Sequence, residues 1–361
     1  MSICVDSTSI TSNEKDLTED ETQLYDRQIR LWGVEAQRKL RKSNVLLIGL
    51  SCVGSEITKN LVLCGLKSLT IIDDKVVNKY NSLSHLFTRQ TLGENRGKVS
   101  ESHIRALNPM VDILTHDWDV EKMIEDNDEK LIQLLKSVDV VCITNYGAET
   151  IQKLNVLYRS VNSDEVKFYA VCNWGFYAFS FTDLGKLHQY GVEEMNQKEV
   201  ELEEPHKKKL KSLEHDKSFV EKTLTYSSFE NFLSVKAGKS GIGITKRTNP
   251  CVILAHVMFK FYSKHHRYPS PNSRDDDIND LKVLQKAVTE ELRVDSSWMS
   301  KLDDDKWWEH VYEEISPVSA IVGGVIGQDI IRAISAQDTP IKNVFVFNGI
   351  QCTGFIESIG K

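Results

Sequence analysis

Unbroken apolar runs alternate with helical apolar periods in the first half of the chain. The run NVLLIGL, residues 44–50, contains Gly49 near its end and is typical of a parallel strand covered on both faces. The following segment, VGSEITKNLVLCG, has apolar residues at helical spacing from Val53 to Cys64 and stops at Gly65. A second buried run, SLTIIDD, ends in two aspartates. Strand, glycine-bearing turn, helix and strand together predict a βαβ unit.

The same alternation continues to about Asn173 and predicts an α/β, doubly wound, Rossmann-like domain. The segment WGFYAFSFTDLG alternates large and small residues, which we interpret as a strand leaving the main sheet. The remaining predicted elements are helices at 99–107 and 129–135 and strands at 111–115, VDVVCIT and VKFYAVC.

Both ends of this domain have a distinct composition. Residues 22–42 predict a helix broken once at Gly33, and residues 1–20 are polar and acidic, which predicts a disordered tail and not a signal peptide. Residues 185–243 include a stretch that is almost wholly charged and predict a crossover insertion with a solvated face.

The last third predicts helices and a β-hairpin. TNPCVILAHVMFKFY is an apolar helix, Ser316-Pro317 begins a second helix that contains a Gly-Gly pair, and Asn348-Gly349 predicts a hairpin turn. We therefore divide the chain into an N-terminal half, 21–184, the charged crossover, 185–243, and a C-terminal half, 244–361.

Composition narrows the class of partner. The 361 residues are 40 % hydrophobic and 27 % charged, as in ordinary globular proteins. A formal net charge of -7 disfavours nucleic acid and anionic membranes, which attract clustered Lys and Arg. The uncharged run ISPVSAIVGGVIGQ is shorter than the roughly 20 residues of a membrane span. We expect a protein or small-molecule partner.

The seven cysteines are odd in number and scattered through apolar stretches, which predicts a reduced, intracellular protein. They include no Cys-x-x-Cys pair from which a structural zinc site would start. We expect them to serve as small core residues.

Candidate phosphate-binding chemistry is limited to one turn. A Gly-x-Gly-x-x-Gly turn exposes backbone amides to phosphate, but residues 49–54, GLSCVG, keep only Gly49 and Gly54. Asp73 follows 24 positions after Gly49, where a ribose-binding acid would lie. On these residues alone a structural strand-to-helix turn is favoured over dinucleotide binding, and Asp73 can equally be a helix or turn cap.

Several segments together resemble a known family. YDRQIRLWG, VLLIGLSCVGSEITKNLVLCG, LTIIDD, ALNPMV and IVGGVIGQDIIRAIS resemble the adenylation domains of the activating enzymes for ubiquitin-like proteins, over about residues 23–361. The resemblance is strongest to the smaller, non-thioester-forming subunits of the SUMO branch. It implies a heterodimer with a large catalytic subunit, and contact with SUMO and, through the complex, with a SUMO-conjugating enzyme.

Departures from the family pattern imply an incomplete nucleotide site. Residues 83–85, LSH, stand where active subunits have an Asn-Arg-Gln triplet, and Asn145 stands where they have a magnesium-binding Asp. No cysteine lies between Cys172 and Cys251, the region that carries the thioester-forming cysteine in the family. The resemblance therefore implies that Gly49, Gly54 and Asp73 form an unproductive pocket, that this chain has no metal site, and that ATP and Mg²⁺ are bound mainly by the partner.

The resemblance also gives a role to Arg27, in YDRQIRLWG. In the family, the corresponding arginine reaches the ATP held by the other subunit and stabilises negative charge in trans. The alternative is that Arg27 and Arg30, three positions apart on one helix, pair with Asp26, Glu21 or Glu35.

Other functions remain open at this stage. They are a self-sufficient homodimeric adenylase of the bacterial sulfur-carrier type, a nucleotide-free scaffold, an NAD-dependent oxidoreductase and a subunit of the NEDD8 pathway. We expect a nuclear and cytoplasmic location, with HKKKLK, residues 206–211, as either an import signal or solvated surface.

Overall fold

The fold is built on one large mixed sheet. The computed structural model describes residues 17–88, 91–162, 165–201, 211–238, 243–300, 302 and 306–360. The sheet has the strand order β10-β9-β6-β5-β4-β1-β2-β3. Its strands are β1 (Asn44–Ile48), β2 (Ser68–Ile72), β3 (Asp112–His116), β4 (Val140–Thr144), β5 (Phe168–Trp174), β6 (Tyr177–Asp183), β9 (Val344–Asn348) and β10 (Thr353–Glu357).

Five strands, β1 to β5, are parallel, and β6, β9 and β10 continue the sheet antiparallel to their neighbours. Alternate residues of the buried strands enter two cores. In β1, Leu46 and Ile48 face one core, while Val45 and Leu47 face the other. Burial on both faces explains the continuous apolar runs of the sequence.

Helices cover both faces and give the three layers of a doubly wound domain. The described helices are α1 (Glu19–Leu24), α2 (Asp26–Lys42), α3 (Cys52–Leu63), α4 (Asn81–Ser84), α5 (Arg96–Leu107), α6 (Val120–Glu125), α7 (Glu129–Ser137), α8 (Ala148–Val161), α9 (Phe229–Ser234), α10 (Pro250–His265), α11 (Arg274–Leu292) and α12 (Ser316–Ser335). The predicted α/β architecture is confirmed.

The charged crossover contains a separate two-stranded ribbon. Its antiparallel strands are β7 (His188–Glu201) and β8 (Lys211–Leu224), and helix α9 follows them. Residues 206–210, most of the HKKKLK segment, lie outside the described residues.

Three local predictions need correction. The predicted tail 1–20 overlaps α1, because Thr18 and Glu21 form a capping box at its start. The strand predicted to leave the sheet is β6, which is fully buried between β5 and β9. Asn348-Gly349 is not a two-residue turn, since Asn348 pairs with Thr353 across a four-residue loop.

The Gly-Gly helix α12 packs on α3. A Cβ at Gly323 would lie 2.5 Å from Cβ of Glu56, and one at Gly327 would lie 3.0 Å from Cβ of Asn60. These glycines therefore allow close helix packing within the chain, while Gly324 faces open space. Helix α12 is long and apolar enough to span a membrane, but 67 % of its apolar window is buried inside the protein, as in a core helix.

Candidate functional site

A cleft lies where the strand order reverses, at the carboxyl ends of β1 and β4. Ligands of open α/β sheets bind at such switch points. The cleft has a volume of about 360 Å³, and its lining includes Ser51, Arg96, Asn145, Asn173 and Glu314. It is the place where the fold would hold a nucleotide.

Gly49 and Gly54 are required by close packing of the backbone. Gly49 has a φ of +81°, and a Cβ there would lie 2.6 Å from the carbonyl oxygen of Thr144. A Cβ at Gly54 would lie 2.7 Å from the carbonyl oxygen of Gly49. Thr144 Oγ1 also donates a hydrogen bond to that oxygen, so β4 holds the turn in place. Both glycines thus have a structural reason to be present.

Asp73, at the end of β2, is fully buried and its carboxylate accepts four hydrogen bonds. Arg96 donates from Nε at 2.9 Å and from Nη2 at 3.0 Å. The backbone amides of Leu50 and Lys75 each donate at 3.1 Å. Each carboxylate oxygen therefore accepts two hydrogen bonds, and the acid that would hold a ribose is engaged within the chain.

The first amides of α3 are occupied by the carboxylate of Glu314. Glu314 Oε2 accepts a hydrogen bond from the backbone N of Cys52 at 2.8 Å, and Oε1 accepts one from Val53 at 2.9 Å. Burial raises the pKa of Glu314, and these two hydrogen bonds partly offset that effect. A phosphate at the start of α3 would need the same two donors.

Asn145 follows β4, where the resemblance places a magnesium-binding Asp. Its Oδ1 accepts a hydrogen bond from the backbone N of Asn173 at 2.8 Å, and its own backbone N donates to Val171 at 2.9 Å. Mg²⁺ prefers carboxylates and waters in octahedral geometry. Within the described part of the chain, no group of three or more His, Cys, Asp or Glu is arranged to hold a metal. The residues of this cleft do not fit Mg·ATP.

Residues 83–85 supply no cation to the cleft. His85 is buried, its Nδ1 accepts a hydrogen bond from the Phe87 backbone N at 3.1 Å, and its Nε2 donates to the Leu50 carbonyl oxygen at 2.9 Å. Burial lowers the pKa of His85 to about 4, so the ring is neutral at pH 7. The cleft has other cations, since Lys75, Arg96 and Arg267 line it, and no sequence pattern marks any of the three.

Most described cysteines are protected from nucleophilic chemistry. Burial raises the pKa of Cys64, Cys172 and Cys251 to about 12, so these thiols stay protonated at neutral pH. Cys52 and Cys142 are also buried with raised pKa values, whereas Cys352 is exposed and Cys4 lies outside the described residues.

The segment YDRQIRLWG is anchored at the opposite end of α3. Tyr25 is buried, and its hydroxyl accepts a hydrogen bond from Asn108 Nδ2 at 2.8 Å. Gln28 Nε2 donates to the carbonyl oxygen of Leu63 at 3.0 Å. Helix α3 extends about 17 Å from Cys52 to Leu63, which is longer than an arginine side chain. Arg27 is therefore far from the cleft of its own chain.

Arg27 is exposed, while its neighbours are ion-paired. Arg30 pairs with Asp26 at 3.0 Å. The other two acids considered as partners pair elsewhere, Glu21 with Arg41 at 2.7 Å and Glu35 with Arg38 at 3.4 Å. Among the residues that the structure describes, none forms an ion pair with Arg27, which leaves its guanidinium available to another molecule.

Two residues of the cleft were missed because their contacts are distant in sequence. Glu314 lies 262 positions after Cys52, and no local pattern marks it. Arg96 lies 23 positions after Asp73, directly after the Asn95 cap of α5, and is not distinguishable there from a solvated first-turn residue.

The chain is similar to known proteins over nearly its whole length. It is 30 % identical over 361 residues to the SUMO-activating enzyme subunit 1 of Rattus norvegicus, covering 99 % of both chains. It is 32 % identical to the protein of that name from Xenopus laevis, covering 98 % of this chain and 99 % of that one, and 30 % identical to that from Homo sapiens, covering 95 % and 96 %. The model of the ThiF family matches residues 25–358. With this match and the cleft at the switch point of its sheet, the chain belongs to the ThiF family.

Proposed function

We propose that this chain is the small, non-thioester-forming subunit of a heterodimeric SUMO-activating enzyme. In this function it supports the ATP-dependent adenylation of the SUMO C-terminus by a large subunit, which then transfers SUMO to its own cysteine and to a conjugating enzyme. The full-length similarity to proteins named SUMO-activating enzyme subunit 1 supports the pathway. The exposed Arg27 is the single observation that carries the catalytic role.

ATP and Mg²⁺ belong to the partner in this proposal. When bound there, they supply the activated phosphate and neutralise its charge. Three features of this chain support the division: Asp73 is engaged by Arg96, Glu314 occupies the amides of Cys52 and Val53, and Asn145 replaces a carboxylate. These features also argue against a self-sufficient homodimeric adenylase, which would need a working site in every subunit.

The contribution of this chain to the reaction is a cation. Arg27 would extend from the start of α2 to the partner's ATP and stabilise the negative charge that develops when the SUMO carboxylate attacks the α-phosphate. Tyr25 and Gln28 fix the helix that carries it. A nucleotide-free scaffold predicts instead that Arg27→Ala leaves the activity of the complex intact.

A protein interface next to Arg27 agrees with a permanent partner. Leu31 and Val34, which follow Arg27 on α2, are 77 % and 44 % exposed. Large apolar side chains left exposed in one place are typical of protein interaction sites. We assign this surface to the large subunit.

The test is SUMO-dependent exchange between ATP and pyrophosphate. We expect exchange only when this chain and the large subunit are mixed, because each lacks part of the site. Exchange by this chain alone would favour the homodimeric adenylase, and exchange driven by NEDD8 but not by SUMO would place the chain in the other pathway. A nuclear and cytoplasmic location is part of the proposal, to be examined by microscopy of the tagged chain.

A further inference from the structure

The first backbone amides of α3 donate to a carboxylate of the same chain. The carboxylate of Glu314 takes the backbone amides of Cys52 and Val53, one with each oxygen. Two further amides of the turn are also engaged within the chain, that of Leu50 by Asp73 and that of Gly54 by Ser51 Oγ. A bound phosphate would therefore find these four amides already in use.

The backbone fixes Glu314 in this position. The Gly175 backbone N donates to the carbonyl oxygen of Glu313 at 2.7 Å, and Gly175 and Glu314 form an isolated parallel bridge. A Cβ at Gly175 would lie 2.2 Å from the carbonyl oxygen of His310, so this contact requires glycine. The turn between β5 and β6 thus holds Glu314 against α3.

We propose that Glu314 is the residue that excludes nucleotide phosphate from this subunit. A phosphate that displaced the carboxylate would leave a second negative charge in the same partly buried cleft, which is unfavourable. The consequence, that ATP is directed to the partner alone, rests on the proposed function. Exclusion of phosphate from this cleft does not depend on the proposed function, because it is a property of this chain without a partner.

The experiment is a titration of the full chain with inorganic phosphate, followed by the NMR signals of the Cys52 and Val53 amides. Glu314→Ala removes the carboxylate, and we expect phosphate to bind at least about tenfold more tightly than to the wild type, since two amides become free for a charged acceptor. Glu314→Gln keeps one acceptor without charge and should give a smaller gain.

The matched control is Glu313→Gln, which removes a negative charge from the same cleft but frees no amide of α3. An equal gain in this variant would overturn the proposal, because general charge would then explain it. Wild-type chain gives an independent result if the variants do not fold: phosphate should leave both amide signals unchanged, and a shift of either would contradict exclusion. These phosphate titrations use this chain without a partner. Their results therefore stand even if SUMO-dependent exchange is not observed and the proposed function fails.

Discussion

Asn108 donates a hydrogen bond from its side-chain amide to the hydroxyl of Tyr25 at 2.8 Å, and the same amide donates to the carbonyl oxygen of Val62 at 3.0 Å. This contact joins two motifs that are 83 residues apart, YDRQIRLWG and ALNPMV. It ties the start of α2 to the ends of α3 and α5. The position of Arg27 on the surface depends on this anchor.

A substitution at Gly65 tests the packing of the Tyr25 ring. Its φ is +83°, and a Cβ there would lie 2.5 Å from Cζ of Tyr25. Gly93 has the same φ but no neighbouring atom within 4 Å of such a Cβ, so Gly93→Ala should cost only the strained backbone, about 1 kcal/mol. We expect Gly65→Ala to lower the free energy of unfolding in urea by about 3 kcal/mol, because the ring must also move. If Gly65→Ala and Gly93→Ala lower the free energy of unfolding equally, the Tyr25 ring does not pack against Gly65 as described.

The buried pair of Asp73 and Arg96 should be costly to break. Arg96→Met leaves a buried carboxylate with only its two backbone donors, and we expect the free energy of unfolding to fall by about 3 kcal/mol. Lys98→Met removes the exposed partner of Asp117 and should change little. Adding Asp73→Asn to Arg96→Met should recover part of the loss. A loss no greater than that of Lys98→Met would contradict a buried ion pair.

The elements around the cleft were predictable because their signals are local. The two-sided burial of β1 appears as an apolar run, and Gly49 marks the left-handed turn that follows it. Glu314 was not predictable, because only folding brings it to Cys52. Gly349 misled the turn prediction, because its φ is not positive. Glycine is needed there for close packing, since a Cβ at Gly349 would lie 2.7 Å from the Phe176 carbonyl oxygen.

Asp329 should give the protein a pH-dependent stability. Burial raises its pKa to about 6; one oxygen accepts a hydrogen bond from Ile341 N at 2.8 Å, and the other, Oδ2, is buried without a partner in the described residues. Arg332 lowers the pKa and Asp338 raises it. The folded chain therefore binds a proton that the unfolded chain has lost between about pH 4 and pH 6, and stability falls over this range as pH rises.

Asp329→Asn removes this titration while keeping the acceptor for Ile341. We expect the variant to be about 2 kcal/mol more stable than the wild type at pH 7.5, and the difference to shrink towards pH 4.5. Urea unfolding of the variant and the wild type at both pH values measures this difference in the free energy of unfolding. A difference that is the same at both pH values would mean that Asp329 does not titrate in this range.

The central claim, that this subunit delivers a cation to its partner's ATP, is tested most directly by SUMO-dependent ATP–pyrophosphate exchange in the heterodimer with Arg27→Ala and with Arg30→Ala. Arg30, paired with Asp26 on the same helix, is the matched control. We expect Arg27→Ala to reduce exchange at least about 100-fold, as loss of a preorganised charge at a transition state does, and Arg30→Ala to leave it nearly unchanged. If both heterodimers assemble and exchange equally well, Arg27 does not act in trans and the subunit serves only as a scaffold.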